Sequence, residues 1–288
     1  MNKTRIQALE YFAKKQNIDL SYSFKVDSGL VGPKIVIFGA IHGNEPVGVE
    51  AIIAIQKELD RIKKGEIIFI LGNPPAYLQD VRFISSNLNR CFLNNFPKDY
   101  EGYRANEITK FLKQYKPDFL LDLHSVSLGD TKMEIYKNQK SIIKELCNPN
   151  FMQVILSKEA AKGSAIQLQF VPTMAVECGN HKSKKGLSVG LLKIKQVLDY
   201  FEMVKFYVDK TTKVGEVKIY ELIAPIIPLP NFRFISENIE SELFVKKNEV
   251  YATSGTKHIK AKEDCYILMP SKYPKVTDTD AGFLARKL

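Results

Sequence analysis

The residues best able to do chemistry in this chain sit in short runs that follow apolar stretches. Gly39-Ala40-Ile41-His42-Gly43-Asn44-Glu45-Pro46 comes after the apolar run Lys34 to Phe38 and before a helix-like segment. A histidine and a glutamate three apart offer one imidazole nitrogen and one carboxylate oxygen, a pair suited to Zn²⁺. Gly43 is expected to let the backbone pass close to such a metal, and Pro46 has the fixed φ of a first helical turn. Alone this signal is weak, since a histidine near a helix start is most often an ordinary polar residue. A second run, Phe119-Leu120-Leu121-Asp122-Leu123-His124-Ser125, places another histidine at the end of another apolar stretch. Asp122 lies two residues earlier, on the same face of a strand, where it can orient a ligand from behind. The plainer reading of His124 is a histidine hydrogen-bonded in the core. Taken together, His42, Glu45 and His124 have the composition of a catalytic zinc site, which keeps a fourth position for water.

Two further groups fit amide hydrolysis. Glu177, in Met174-Ala175-Val176-Glu177-Cys178-Gly179, is a carboxylate at the end of an apolar stretch. It can take the proton of the attacking water and pass it to the leaving amine, although a structural salt-bridged glutamate would read the same way. Arg82 can polarise the scissile carbonyl, and Asn89 with Arg90 can grip a substrate carboxylate through a fork of donors. Taken singly, each arginine is more ordinary as a surface residue.

These groups need a frame. Lys34 to Phe38, Ile67 to Leu71 and Phe119 to Leu123 read as buried strands. Between them, Ile52, Ile55, Leu59 and Ile62 keep helical spacing, and the stretch Tyr103 to Tyr115 carries Ile108, Phe111 and Leu112 on one face. A third amphipathic helix is expected over Leu187 to Tyr207. This alternation predicts an α/β fold with a mixed sheet flanked by helices. After about Val208 the texture changes to strand-like segments (Val217 to Ile227, Phe232 to Ile235, Cys265 to Met269, Gly282 to Ala285) separated by Pro, Gly and Asn. The expected division is an α/β hydrolase domain over 1–208 and a smaller β-rich domain over 209–288.

Four motifs occur in order: His42-Gly43-Asn44-Glu45, Asn87-Leu88-Asn89-Arg90-Cys91-Phe92, Asp122-Leu123-His124 and Val176-Glu177-Cys178-Gly179. In order and spacing they resemble the succinylglutamate desuccinylase/aspartoacylase family, which has the zinc carboxypeptidase-like fold. The resemblance covers residues 32 to 180, and more loosely the closing segment from Met269 to Phe283. It implies one Zn²⁺ per chain on His42, Glu45 and His124, with Glu177 as base and Arg82 on the carbonyl. It further implies Asn89 and Arg90 on a substrate carboxylate, and a β-rich tail that caps the active site. One departure bears on the substrate. Aspartate-directed members carry an arginine shortly before the base, whereas Ala165 to Phe170 contains none and offers Gln167 or Gln169. That weighs against N-acetylaspartate itself and leaves the hydrolytic machinery intact. Tail contacts to substrate are sought around His258 or Lys260.

Composition narrows the classes. The chain has 288 residues, 45% of them hydrophobic, which supports a sizeable core. No signal peptide is read at its start, and its apolar runs are too short to span a bilayer. A cytoplasmic enzyme without a membrane partner is expected. Four scattered cysteines with no C-x-x-C pair argue against a disulfide framework or a zinc finger. The net charge of +10 would suit nucleic acid, but the lysines are spread out, with denser clusters only at Lys182 to Lys185 and Lys257 to Lys262. A nucleic-acid-binding protein would leave the ordered His/Glu/His/Glu set unexplained. A non-catalytic metal-binding module would not need the base and the arginines. The reading is therefore a zinc amidohydrolase acting on a small N-acyl amino acid, with a carboxypeptidase acting on a short peptide as the alternative. A homo-oligomer is compatible with the sequence.

Overall fold

The computed structural model describes residues 2–93, 96–137, 141–161, 165–170, 172–206, 216–236, 239–271, 274–276 and 278–288. Helix α1 (Lys3–Lys15) leads into β1 (Ser23–Asp27), β2 (Lys34–Gly39) and α2 (Val47–Ile55), which continues as a 3₁₀ turn over Gln56–Arg61. Next come β3 (Glu66–Leu71), α3 (Pro74–Gln79), α4 (Tyr100–Tyr115) and β4 (Phe119–Val126). They are followed by β5 (Lys132–Tyr136), α5 (Ser141–Leu146), β6 (Met152–Ile155), α6 (Ile166–Gln169), β7 (Thr173–Asn180) and α7 (Lys185–Tyr200). The remainder is β-rich: β8 (Ile219–Pro225), β9 (Phe232–Phe234), β10 (Leu243–Val245), β11 (Val250–Ser254), β12 (Lys257–Lys260), β13 (Cys265–Leu268) and β14 (Phe283–Lys287).

Eleven strands form one mixed sheet in the order β1-β3-β2-β4-β7-β5-β6-β8-β14-β13-β10. Its centre, β3-β2-β4-β7, is parallel. These strands are apolar at nearly every position because both their faces are covered. Ile35 and Ile37 pack into a cluster with Ile52 and Ile55 of α2 and Ile194 and Val197 of α7. Val36 and Phe38 pack on the other face with Ile108 and Leu112 of α4. The fold class is therefore α/β, a large mixed sheet between helices, with a β-rich C-terminal part.

Two sequence expectations shift in extent. The helix sought over Leu187 to Tyr207 ends at Tyr200, where Phe201 leaves helical geometry and its backbone N–H turns back to cap α7. The strand at Phe119 runs on to Val126, so His124 lies within it rather than beyond its end. The division at 208/209 lies outside the described residues. On its far side, β8 pairs in parallel with β6, and β14, β13 and β10 extend the same sheet. Among the described residues, β9, β11 and β12 make a separate small sheet. No helix among the described residues is long and apolar enough to cross a membrane.

The order β3-β2-β4 is a switch point: the chain leaves β2 for a neighbour on one side and later returns to its other side. Open α/β sheets bind ligands in the crevice at the carboxyl ends of such strands. Here the crevice lies between β2 and β4.

Candidate active site

Beyond β2 the backbone turns sharply at Ala40, whose φ is +53°, and delivers His42 and Glu45 just ahead of α2. His124 arrives on the adjacent strand β4, and Glu177 stands directly beside it on β7. The sequence-separated groups meet. Atoms from His42, Glu45 and His124 lie within 4.8 Å of one another, and all three residues are buried.

The two imidazoles are held alike. His42 Nε2 lies 3.2 Å from Asn87 Oδ1, and that oxygen also accepts the Asn89 backbone N–H at 3.0 Å. An acceptor there makes His42 Nε2 the donor. His124 Nε2 likewise donates to Asp122 Oδ2 at 2.6 Å. Each ring is thus anchored through Nε2, and each presents Nδ1 to Glu45: His42 at 2.8 Å to Oε1, His124 at 2.9 Å to Oε2. Two imidazole nitrogens and a carboxylate converging on one point, each imidazole backed by an oxygen acceptor, form a donor set that fits a divalent transition metal.

The charges suit that purpose. Burial lowers the His42 pKa to about 4, with Arg82 adding to the effect against Glu45, so this ring is neutral and its lone pair available. Burial also opposes protonation of His124, but Asp122 and Glu45 outweigh it and hold its pKa well above the ordinary value. Burial would raise Glu45, yet the two histidines pull it well below the usual carboxylate range. A cation seated between these groups would displace the proton that His124 shares with Glu45.

Glu177 differs. Burial, reinforced by the Glu45 charge, raises its pKa to about 7 against the opposing pull of His124 and Arg82. Its Oε2 is buried and has no hydrogen-bond partner among the described residues.

Arg82 and Arg90 are both present but occupied. Arg82 Nη1 donates to Glu45 Oε1 at 3.1 Å while its side chain remains partly exposed. Arg90 donates to Asp280 Oδ2 at 3.0 Å and to the Asn89 carbonyl at 2.8 Å. Asn89 spends its Oδ1 on the Ile166 backbone N–H at 3.1 Å, which fixes the start of α6. Asp280 comes from the closing segment, and its pairing with Arg90 had no local sequence signal. The adjoining Thr279 accepts from Asn87 Nδ2 at 3.0 Å, so the segment reaches His42 through a single asparagine. Gln167 donates to Asp122 Oδ2 at 2.7 Å, behind His124.

Gly43 plays a part other than the one expected. A Cβ there would meet the Ala76 carbonyl carbon at 2.1 Å and the Tyr77 nitrogen at 2.4 Å, so the glycine lets the loop pass α3. Arg5 of α1, unremarked in the sequence, secures the same loop by donating to the carbonyls of Gly43 and Tyr77, each at 2.7 Å, and to Asp80 at 2.6 Å. His181 also lines the site, with Nδ1 2.8 Å from Ser125 Oγ. His258 and Lys260 do not line it; they sit on exposed β12.

His42, Glu45, Arg82, Arg90, His124 and Glu177 line a cavity of about 170 Å³, to whose wall the closing segment contributes Met269, Pro270, Ser271, Asp278, Asp280 and Ala281.

Residues 31–145 match the family described as succinylglutamate desuccinylase/aspartoacylase catalytic domain. A probable aspartoacylase of Nostoc sp. is 36% identical over 124 residues, 40% of this chain and 42% of that one. A succinylglutamate desuccinylase of Shewanella woodyi is 26% identical over 185 residues, 57% of this chain and 52% of that one. The chain thus spans about half the length of the curated relatives it matches. The crystal structure of succinylglutamate desuccinylase from Vibrio cholerae superposes with a TM-score of 0.70, covering 92% of this chain and 85% of that one. Its 18% identity makes that likeness one of fold. Over residues 31–145 the chain is similar to the succinylglutamate desuccinylase/aspartoacylase catalytic domain.

Proposed function

We propose that the protein is a zinc-dependent hydrolase of the amide bond in a small N-acyl amino acid. The observation that carries the proposal is the convergence of His42 Nδ1 and His124 Nδ1 on Glu45, within reach of an unpartnered Glu177 carboxylate oxygen. His42, Glu45 and His124 would hold one Zn²⁺, which when bound supplies Lewis acidity to the carbonyl and to the attacking water. Asn87 and Asp122 keep the two imidazoles in the ligating tautomer. Glu177, with a pKa of about 7, can accept the proton of water and return it to the leaving nitrogen. Arg82 donates toward the oxygen that gains charge in the transition state. Arg90, with Asn89 beside it, faces the cavity as the recognition group for a substrate carboxylate. A cavity of about 170 Å³ suits a small molecule better than a peptide terminus with its flanking residues. Four unpaired thiols go with a reducing, cytoplasmic setting.

The experiment is Glu177→Gln. It should keep fold and metal while kcat on the preferred N-acyl amino acid falls at least about a hundredfold, the scale of losing a general base. Near-normal turnover would remove Glu177 from the mechanism.

A further inference from the structure

Part of the cavity wall is apolar. Ile135, Leu156, Ala165, Ala175, Leu222 and Phe283 line it, and the same six residues belong to one hydrophobic core cluster. The wall is therefore an open edge of the core. It is built from paired positions, with Ile135 opposite Ala175 across β5 and β7, and from β8 and β14, which run side by side. Met269, half-buried, packs against the same cluster and lines the same cavity.

Among the described residues, the arginines beside this wall are already matched. They are Arg82, paired with Glu45, and Arg90, paired with Asp280. The Asp280 side chain is only 10% exposed, and Arg90 holds its pKa below the usual range against the effect of burial. The Arg90 guanidinium lies 6.0 Å from the Phe283 ring centroid, at the border between the polar and apolar parts. Gln167 is turned to Asp122 instead of into an anion site. A second carboxylate placed against this wall would meet hydrocarbon, and burial without a partner is costly. A hydrocarbon group would bury its surface at a gain.

We infer that the substrate carries an uncharged hydrocarbon group that packs against the wall of Ile135, Leu156, Ala165, Ala175, Leu222 and Phe283, in place of a second carboxylate. This rests on the metallo-deacylase reading above. The hydrocarbon can belong to the amino-acid side chain or to the acyl chain, and the two sources are separable.

The test uses the zinc-loaded full chain and two series. The first sets the N-acetyl derivatives of leucine, methionine and alanine against those of aspartate and glutamate. The second sets butyryl- and hexanoyl-alanine against succinyl-alanine. The apolar member should show a kcat/KM at least about tenfold higher in one series, the scale of burying a few methylenes. The series that responds identifies which side of the amide the wall receives. Equal or faster cleavage of the acidic members in both series overturns the inference and leaves the hydrolase reading standing. Absence of cleavage in both sinks the hydrolase reading. The inference is then decided by calorimetry of the same compounds on the Glu177→Gln protein. It stands if an apolar member binds at least about tenfold tighter than its acidic counterpart in one series, and is overturned if none does. Leu222→Ala should move the optimum to a longer chain, as should the milder Met269→Ala if the first variant folds poorly. An unchanged optimum in the folded variant contradicts the assignment of the wall.

Discussion

His42 and His124 face each other with ring centroids 5.0 Å apart and planes inclined by 59°, each turning Nδ1 to a different oxygen of the same glutamate. His42 follows strand β2, His124 lies within the neighbouring parallel strand β4, and each ring is fixed from behind through Nε2. The pairing is therefore a property of the sheet and of two acceptor side chains, Asn87 and Asp122.

Those two acceptors give the first prediction. Asn87→Ala should weaken zinc binding by roughly ten- to a hundredfold although it removes no ligand, the usual effect of losing an orienting partner. Competition against a chromophoric chelator measures it. Affinity equal to that of the unaltered protein would show that His42 needs no such anchor.

Much of this site was legible in the sequence, for physical reasons. β2, β3 and β4 are buried on both faces, so they appear as continuous apolar runs, and the polar residues that interrupt or follow them stand out. β5 and β6 show no such continuous apolar run, because Glu134 and Gln153 lie within them as buried polar residues. Their satisfaction is distant: Glu134 pairs with Lys193 of α7 and accepts from Gln153 at 2.8 Å. Arg90 and Asp280 are separated by 190 positions and show no periodicity that joins them. The expected tail domain is partly an extension of the main sheet, since β8 finds its partner in β6.

Arg5 supports a second prediction. Removing its guanidinium in Arg5→Ala takes a donor from the Tyr77 carbonyl, which keeps the Asp80 N–H, and from the Gly43 carbonyl, at about 1–3 kcal/mol for an unsatisfied buried acceptor. The His42 to Glu45 loop should loosen, and zinc affinity should fall together with thermal stability. Arg5→Lys should restore only part of either, because one ammonium cannot span the three acceptors as a planar fork does. A lowered Tm with unaltered zinc affinity would make Arg5 a stabiliser of the fold alone.

The pH profile gives a third. Burial and Glu45 hold the Glu177 pKa at about 7, and only the ionised form can accept a proton. Activity should therefore climb with pH as Glu177 ionises and then level off. A bound divalent cation adds to the lowering by His124 and Arg82, so the inflection of the loaded enzyme should fall at or below about 7. A kcat/KM that stays flat from about pH 5 to 8 would contradict the role of Glu177.

The most direct test is a zinc titration of chelator-stripped protein, followed by hydrolysis of the best substrate in the N-acyl panel. Activity should be absent at the start and rise linearly with added zinc. It should level off at about one equivalent per chain, as a His/Glu/His set with one open position requires. The His42→Ala and His124→Ala proteins should show no such rise at the same zinc concentrations. Hydrolysis that persists in the stripped protein, or a full response in both histidine variants, would contradict the account.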